Sequence, residues 1–169
     1  MECKLLPLRT EDLIQFKKDM QEAFQKGAES EFEDLHEEIL PETDIDKSLK
    51  KEGAVAYKAV VDDQMAGGAI IVVNETTLHN ELDFLYVKYG TQSKGFGRAI
   101  WGAIEEKHPR TKVWKTSTPY FEKRNIHFYV NKCGFHIVEF WNEKNPDPNM
   151  PSDFVGDGNE GMFRFEKKM

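Results

Sequence analysis

The chain has little cysteine: two residues in 169, Cys3 and Cys133, far apart and in no C-x-x-C pair. That excludes a disulfide framework and a thiolate metal cage, and free thiols fit a reducing compartment, so the expected location is cytoplasmic. The five histidines show no H-E-x-x-H or comparable spacing, and no metal site is expected. No apolar run approaches the ~18–20 residues that cross a bilayer. The N-terminus turns polar after Pro7 and carries no signal-peptide core, so no membrane partner is expected. Repeats and low-complexity tracts are lacking as well. Basic residues are in deficit, 23 Lys and Arg against 30 Asp and Glu, for a net charge of -7. Broad binding to a phosphate backbone runs on clustered cations, so nucleic acid is not an expected partner.

What is present is a soluble, globular composition: 39% hydrophobic and 31% charged residues in a length typical of one domain, expected to span 1–169. The periodicity alternates between strand and helix. Cys3 to Leu8 suits a first strand, and Thr10 to about Lys26 a helix capped by Thr10 and ended by Gly27. Phe32, Leu35, Ile39 and Leu40 suggest a second helical piece broken by Pro41, with one or two further turns at Ile45 to Lys51. Val55 to Val61 and Met65 to Val73 read as a hairpin. Gly67-Gly68 inside it points to a bulge or a close backbone approach. Glu81 to Val87 is a third central strand. A glycine-bearing loop, a helix to Lys107, a strand at Val113 to Thr118, a helix from Glu122 to Cys133 and strands at Phe135 to Trp141 and Gly161 to Lys168 complete the chain. The fold class is α/β, a mixed twisted sheet in the order β-α-α-β-β-β-α-β-α-β-β. Alternation in the second half implies parallel pairing there.

The chemistry concentrates where the third central strand meets its helix, Leu82 to Arg98. Phe96, Ala99, Ile100, Ala103 and Ile104 recur at helical spacing, so the helix begins near Gly95. A helix N-terminus leaves backbone N–H groups unpaired and carries partial positive charge, which suits a pyrophosphate. Two phosphate motifs fail on counting. A Walker loop needs Lys after its second glycine, and Phe96 follows Gly95. A dinucleotide fingerprint needs a third glycine where Ile100 stands.

The stretch resembles the acetyl-CoA loop of the GNAT N-acetyltransferase family. That loop follows a strand ending in Val with a Gln or Arg five residues on, then x-x-Gly-x-Gly/Ala, and Val87, Gln92, Gly95 and Gly97 fall in that register. A proline often found two residues after the Val is Tyr89 here. The resemblance covers nearly the whole chain. It implies a GNAT-like acyl-CoA N-acyltransferase fold with a splayed parallel strand pair, and acetyl-CoA as the donor cosubstrate. It further implies that backbone groups of Leu85, Tyr86 and Val87 bond the pantetheine arm. Gln92, Ser93, Lys94, Gly95, Phe96, Gly97 and Arg98 would wrap the pyrophosphate.

The segment Arg124 to Phe135 looks like the family's later helix. By that resemblance Asn125 bonds the CoA arm and Tyr129 protonates the departing thiolate. Four residues separate Tyr129 from Gly134, where three are common, and one residue turns a helix by roughly 100°. The alternative for Tyr129 is packing with Ile126 and Cys133 in the core.

An alkyl amine has a pKa near ~10.4 and needs a base before it can attack. Period two places Glu81, Asp83, Leu85 and Val87 on one face of the central strand, which makes Glu81 and Asp83 the candidate bases; the alternative is that both are solvated. Glu29 to Asp46 carries nine acids and no Lys or Arg. Such a field would attract a cationic acceptor, a small-molecule or peptide amine, or be a solvated face. Phe32, Tyr120, Phe121 and Trp141 are candidates for a groove or for core. The expected function is transfer of acetyl from acetyl-CoA to a primary amine. A non-catalytic acyl-CoA-binding or scaffold module is the alternative, and a homodimer is open on symmetry grounds.

Overall fold

A computed structural model describes residues 2–91, 95–148 and 161–169. Its elements are β1 (Cys3–Pro7), a 3-10 turn (Thr10–Asp12), α1 (Leu13–Glu31), α2 (Glu42–Leu49), β2 (Ala54–Val61), β3 (Gln64–Val72) and β4 (His79–Val87). They continue with α3 (Phe96–Lys107), β5 (Val113–Pro119), α4 (Lys123–His127), a π-helical turn (Phe128–Lys132), β6 (His136–Trp141) and β7 (Met162–Lys168). The succession of strands and helices is the one that the periodicity predicts.

The boundaries differ in instructive places. The first helix does not stop at Gly27 but runs to Glu31. A helical glycine costs only about 1 kcal/mol relative to alanine, and burial of Ala28 one residue later outweighs it. Thr10 does not cap; the Asp12 carboxylate instead accepts the Arg9 N–H at 3.0 Å. Residues 32–40 form no helix. Pro41 does not break a helix but stands at the N-cap of α2, where its missing N–H is no loss and Glu42 and Asp44 face the dipole.

The sheet runs β1-β2-β3-β4-β5-β7-β6, with β4–β5 its parallel pair and the other neighbours antiparallel. The parallel pairing expected in the second half is the β4–β5 pair; β7 returns between β5 and β6 and pairs antiparallel with both. Gly67 answers the close-approach expectation, because a Cβ there would run into the Tyr86 carbonyl oxygen on β4.

Apolar cores cover both sheet faces. One packs α3 and the π turn onto the sheet through Trp101, Trp114, Ile100, Phe135 and Phe165, with Trp101 and Trp114 edge to face at 5.2 Å. The other packs α1 and α2 through Phe16, Met20, Ile45, Ile70 and Tyr86.

Two irregularities shape the middle of the sheet. The β3–β4 register steps from Ile70↔Phe84 to Ile71↔Leu82, leaving Asp83 unopposed as a β-bulge. A one-residue bulge reverses which side each later residue faces. Leu82, Leu85 and Val87 consequently share the α3 face, whereas Phe84 and Tyr86 join the α1 and α2 core. The expectation of one face for Glu81, Asp83, Leu85 and Val87 fails for this reason. The second irregularity is that β4 and β5 pair only from His79↔Val113 to Glu81↔Lys115. Beyond it β4 continues to Val87 and β5 to Pro119 without sharing a ladder, so the pair splays.

Candidate active site

The splay opens onto a cleft of about 850 Å3. Its walls are α1 from Ala23 to Glu31, the end of β4, the start of α3, and the α4 helix with its π turn. Two of the walls come from one strand–loop–helix unit, β4 to α3, and the sheet topology brings α1 and α4 to the same mouth.

The β4 wall supplies Leu85, Tyr86 and Val87. One edge of β4 bonds to β3 there, and among the described residues the ladder on its other edge ends at Glu81↔Lys115, short of the cleft. The α3 wall supplies Gly95, Phe96, Gly97 and Arg98. Gly95 is the N-cap with φ 77°, a left-handed conformation that costs an ordinary residue free energy. The first bond within the helix runs from the Ala99 N–H to the Gly95 carbonyl oxygen at 3.1 Å. The N–H groups of Phe96, Gly97 and Arg98 therefore have no partner within the helix. Gly97 packs closely, since a Cβ there would lie 3.1 Å from the Phe128 ring and 3.4 Å from Val87. Gln92, Ser93 and Lys94, the rest of the expected cradle, lie outside the described residues.

The fourth wall carries Asn125 and Tyr129. Asn125 donates from Nδ2 to the Thr118 hydroxyl on β5 at 3.3 Å. Tyr129 is 9% exposed, its ring within 5.7 Å of Phe128, Phe135 and Phe165. The extra residue before Gly134 is absorbed by the π turn, where the Cys133 N–H reaches the Phe128 carbonyl oxygen at 3.0 Å, one residue farther back than an α-helix would. Tyr129 thus packs in the core and also lines the cleft. Burial pushes its phenol up to about 12, opposed by a hydrogen bond with the Thr116 side chain. Burial likewise pushes the neighbouring Cys133 thiol up to about 12.

Neither candidate base is among the residues lining the cleft. Asp83, turned toward α2 by the bulge, accepts from the Ser48 hydroxyl at 2.7 Å and pairs with Lys51 at 2.8 Å. Glu81 precedes Leu82 and so lies on the opposite sheet face from it. The cleft's carboxylates among the described residues are Glu31 and Glu122, which sequence spacing did not single out. Burial raises the Glu122 carboxyl above its ordinary range; the Glu31 charge adds to this and the Arg124 guanidinium opposes it. Arg124 approaches Glu31 at 3.9 Å and donates to the Ser30 hydroxyl at 3.1 Å, joining α4 to the end of α1.

The described lining holds Lys26, Arg98, Arg124 and Lys132 against Glu31 and Glu122, a surplus of two positive charges in a chain of net charge -7. That local reversal suits a polyanionic ligand. The acidic run is partly neutralised: Glu42 and Asp46 both pair with Lys17, at 2.9 and 2.8 Å. Trp141 is buried beneath Arg164, whereas Phe32, Tyr120 and Phe121 are exposed and stack edge to face, with centroids 5.6–5.7 Å apart. No group of three or more metal-ligating side chains occurs among the described residues, and no described helix is long and apolar enough to cross a membrane.

Comparison with known proteins bears on this arrangement. The model of the acetyltransferase (GNAT) family matches residues 14–135. The uncharacterized protein YrkN of Bacillus subtilis (strain 168) is 44% identical over 164 residues, covering 94% of this chain and 89% of that one. Among solved structures, a GNAT family acetyltransferase from Elizabethkingia anophelis with acetyl-CoA bound superposes with TM-score 0.69 at 16% identity, over 99% of both chains. The spermidine N-acetyltransferase from Vibrio cholerae in complex with CoA and spermine gives TM-score 0.69 at 14% identity, over 99% of this chain and 95% of that one. At such identities these two likenesses speak to the fold.

Proposed function

The chain belongs to the acetyltransferase (GNAT) family, and from that premise we propose that it transfers the acetyl group of acetyl-CoA to a primary amine within a ternary complex. The observation that carries the reading is the splay of β4 from β5, which opens a backbone edge, a helix N-terminus and a buried tyrosine onto one cleft. Acetyl-CoA supplies a thioester whose acyl carbon an amine attacks, releasing a free thiol.

The residues present fit such a donor. Backbone groups of Leu85, Tyr86 and Val87 would bond the pantetheine arm as an added strand would. The N–H groups at Phe96, Gly97 and Arg98 meet the pyrophosphate with helix-dipole assistance, and Gly95 and Gly97 raise no side chain against it. In this reading Gln92, Ser93 and Lys94 extend that cradle and Asn125 bonds the arm. Lys26, Arg98 and Lys132 supply compensating charge.

Tyr129 is the proposed proton donor to the leaving sulfur. Burial pushes that phenol up to about 12, and a thiolate released into the same sheltered cleft would be disfavoured by the same loss of solvation. The acceptor enters by the α1 side of the cleft, where the remaining acids of residues 29–46 favour a cationic amine.

The experiment is a thiol-release assay with acetyl-CoA and a panel of amines, with the acetylated amine identified by mass spectrometry. Saturable release matched one to one by product supports the reading. The placement of Glu81 and Asp83 away from the cleft favours a second reading, an acyl-CoA-binding module without turnover. Saturable acetyl-CoA binding with no acetylated amine across the panel would select it.

A further inference from the structure

We propose that Glu122 is the group that takes the proton from the acceptor ammonium, with Glu31 as the carboxylate that engages Arg124 beside it. The inference rests on the amine-transfer reading and assigns the step which that reading leaves without a residue. Asp83 is committed to Ser48 and Lys51, and Glu81 lies off the cleft. The described carboxylates on the cleft wall are Glu31 and Glu122, and the two differ in how they are held. Glu31 meets Arg124 at 3.9 Å, whereas no hydrogen bond or ion pair holds the Glu122 carboxylate among the described residues. A free carboxylate half sheltered from water, with one guanidinium serving two acids, leaves negative charge facing the cleft.

The groups that bear on Glu122 come from every wall. Glu31 from α1 raises it, and Arg124 of its own helix lowers it. Lys26 of α1, Arg98 of α3, and His127, Lys132 and Tyr129 on the α4 side complete the described ionisable lining, with Tyr86 on β4 and Tyr89 just after it. The net effect is a carboxyl held above its ordinary range, chiefly by burial.

The step balances as follows. The ammonium gives one proton to a Glu122 carboxylate oxygen and becomes a free amine. The amine nitrogen bonds the acyl carbon as the carbon–sulfur bond breaks. The nitrogen sheds its second proton to water, Tyr129 gives its proton to the sulfur and regains one from water, and Glu122 returns its own to water, for one proton released overall.

The test uses the full chain, acetyl-CoA, and spermidine, n-butylamine and lysine amide as acceptors across pH 6–10. Glu122→Gln is expected to lower kcat at neutral pH by about 10²–10⁴-fold. Its residual rate should climb about tenfold per pH unit toward the amine's own pKa near ~10. Affinity for CoA by calorimetry should stay within twofold. Glu31→Gln should move the acid limb of the pH profile to lower pH, because the charge that raises Glu122 is gone. In carbon-13 spectra of glutamate-labelled protein, the carboxyl signal missing from Glu122→Gln should titrate above the other glutamates. Unchanged turnover and pH profile in Glu122→Gln, or a Glu122 signal titrating with the rest, would overturn the assignment and leave the amine-transfer reading standing. Wild-type protein that binds acetyl-CoA but acetylates none of the three amines would overturn both.

Discussion

The Thr116 hydroxyl on β5 donates to the Leu82 carbonyl oxygen on β4 across 2.9 Å, one residue beyond the last backbone pair of the two strands. A side chain thus makes the bond that the ladder no longer makes. The splay begins at this point.

Thr116→Val keeps the shape and removes the hydroxyl. It should orphan the buried Leu82 carbonyl at a cost of about 1–3 kcal/mol, read from urea unfolding. A variant as stable as the parent would refute the bridging role.

Tyr129→Phe retains the ring that packs between Phe128, Phe135 and Phe165. Stability should change little, and kcat for acetyl transfer should fall about 10²–10⁴-fold with CoA affinity preserved. The tyrosine titrates only near 12, so wild-type activity should show no alkaline fall from its ionisation below pH 10. An unchanged kcat in the phenylalanine variant would return Tyr129 to a packing role.

Gly95→Ala puts a side chain at φ 77° where α3 begins. The left-handed conformation should cost roughly 1–2 kcal/mol of stability. If these amides hold the pyrophosphate, CoA affinity measured by calorimetry should fall as well. Lost stability with undiminished CoA affinity would confine the glycine to a turn.

His108 carries the clearest pH dependence of stability. It meets the Tyr57 hydroxyl at 2.8 Å and stands edge to face with Trp114 at 6.2 Å. Burial and nearby Lys107 hold its pKa below 6.5, with Glu75 opposing. The unfolded chain therefore binds the proton more readily than the folded one. The contribution is whole above the ordinary histidine pKa and is lost as pH falls through the lower folded value. Thermal midpoints from pH 8 to 5 should fall more steeply for wild type than for His108→Gln; parallel curves would contradict this.

Much of the fold was legible because period and punctuation agree. Hydrophobic spacing marks α1 and α3, and Gly53, Pro109 and Gly134 separate helix from strand. Gly27 and Pro41 misled because tertiary burial of Ala28 and the N-cap geometry of α2 decide those boundaries. The cleft-facing residues Leu85, Tyr86, Val87, Gly95, Phe96, Gly97 and Arg98 were readable because one strand–loop–helix unit carries them all. The bulge at Asp83 was not, since an inserted residue leaves no gap in a sequence that alternates on both sides of it. The π turn left a trace in the spacing from Tyr129 to Gly134. Glu122 left none, and Glu31 stood out only as one of nine acids in the run from Glu29 to Asp46: α1 and α4 meet only in three dimensions, as Arg124 and Ser30 do from 94 residues apart.

The most direct test of the account is calorimetric titration of acetyl-CoA into the full chain. The account predicts saturable binding at one site, weakened by Gly95→Ala and unaffected by Lys51→Ala on the opposite face. Heats that never saturate, or a Gly95→Ala variant that binds as tightly as wild type, would contradict it.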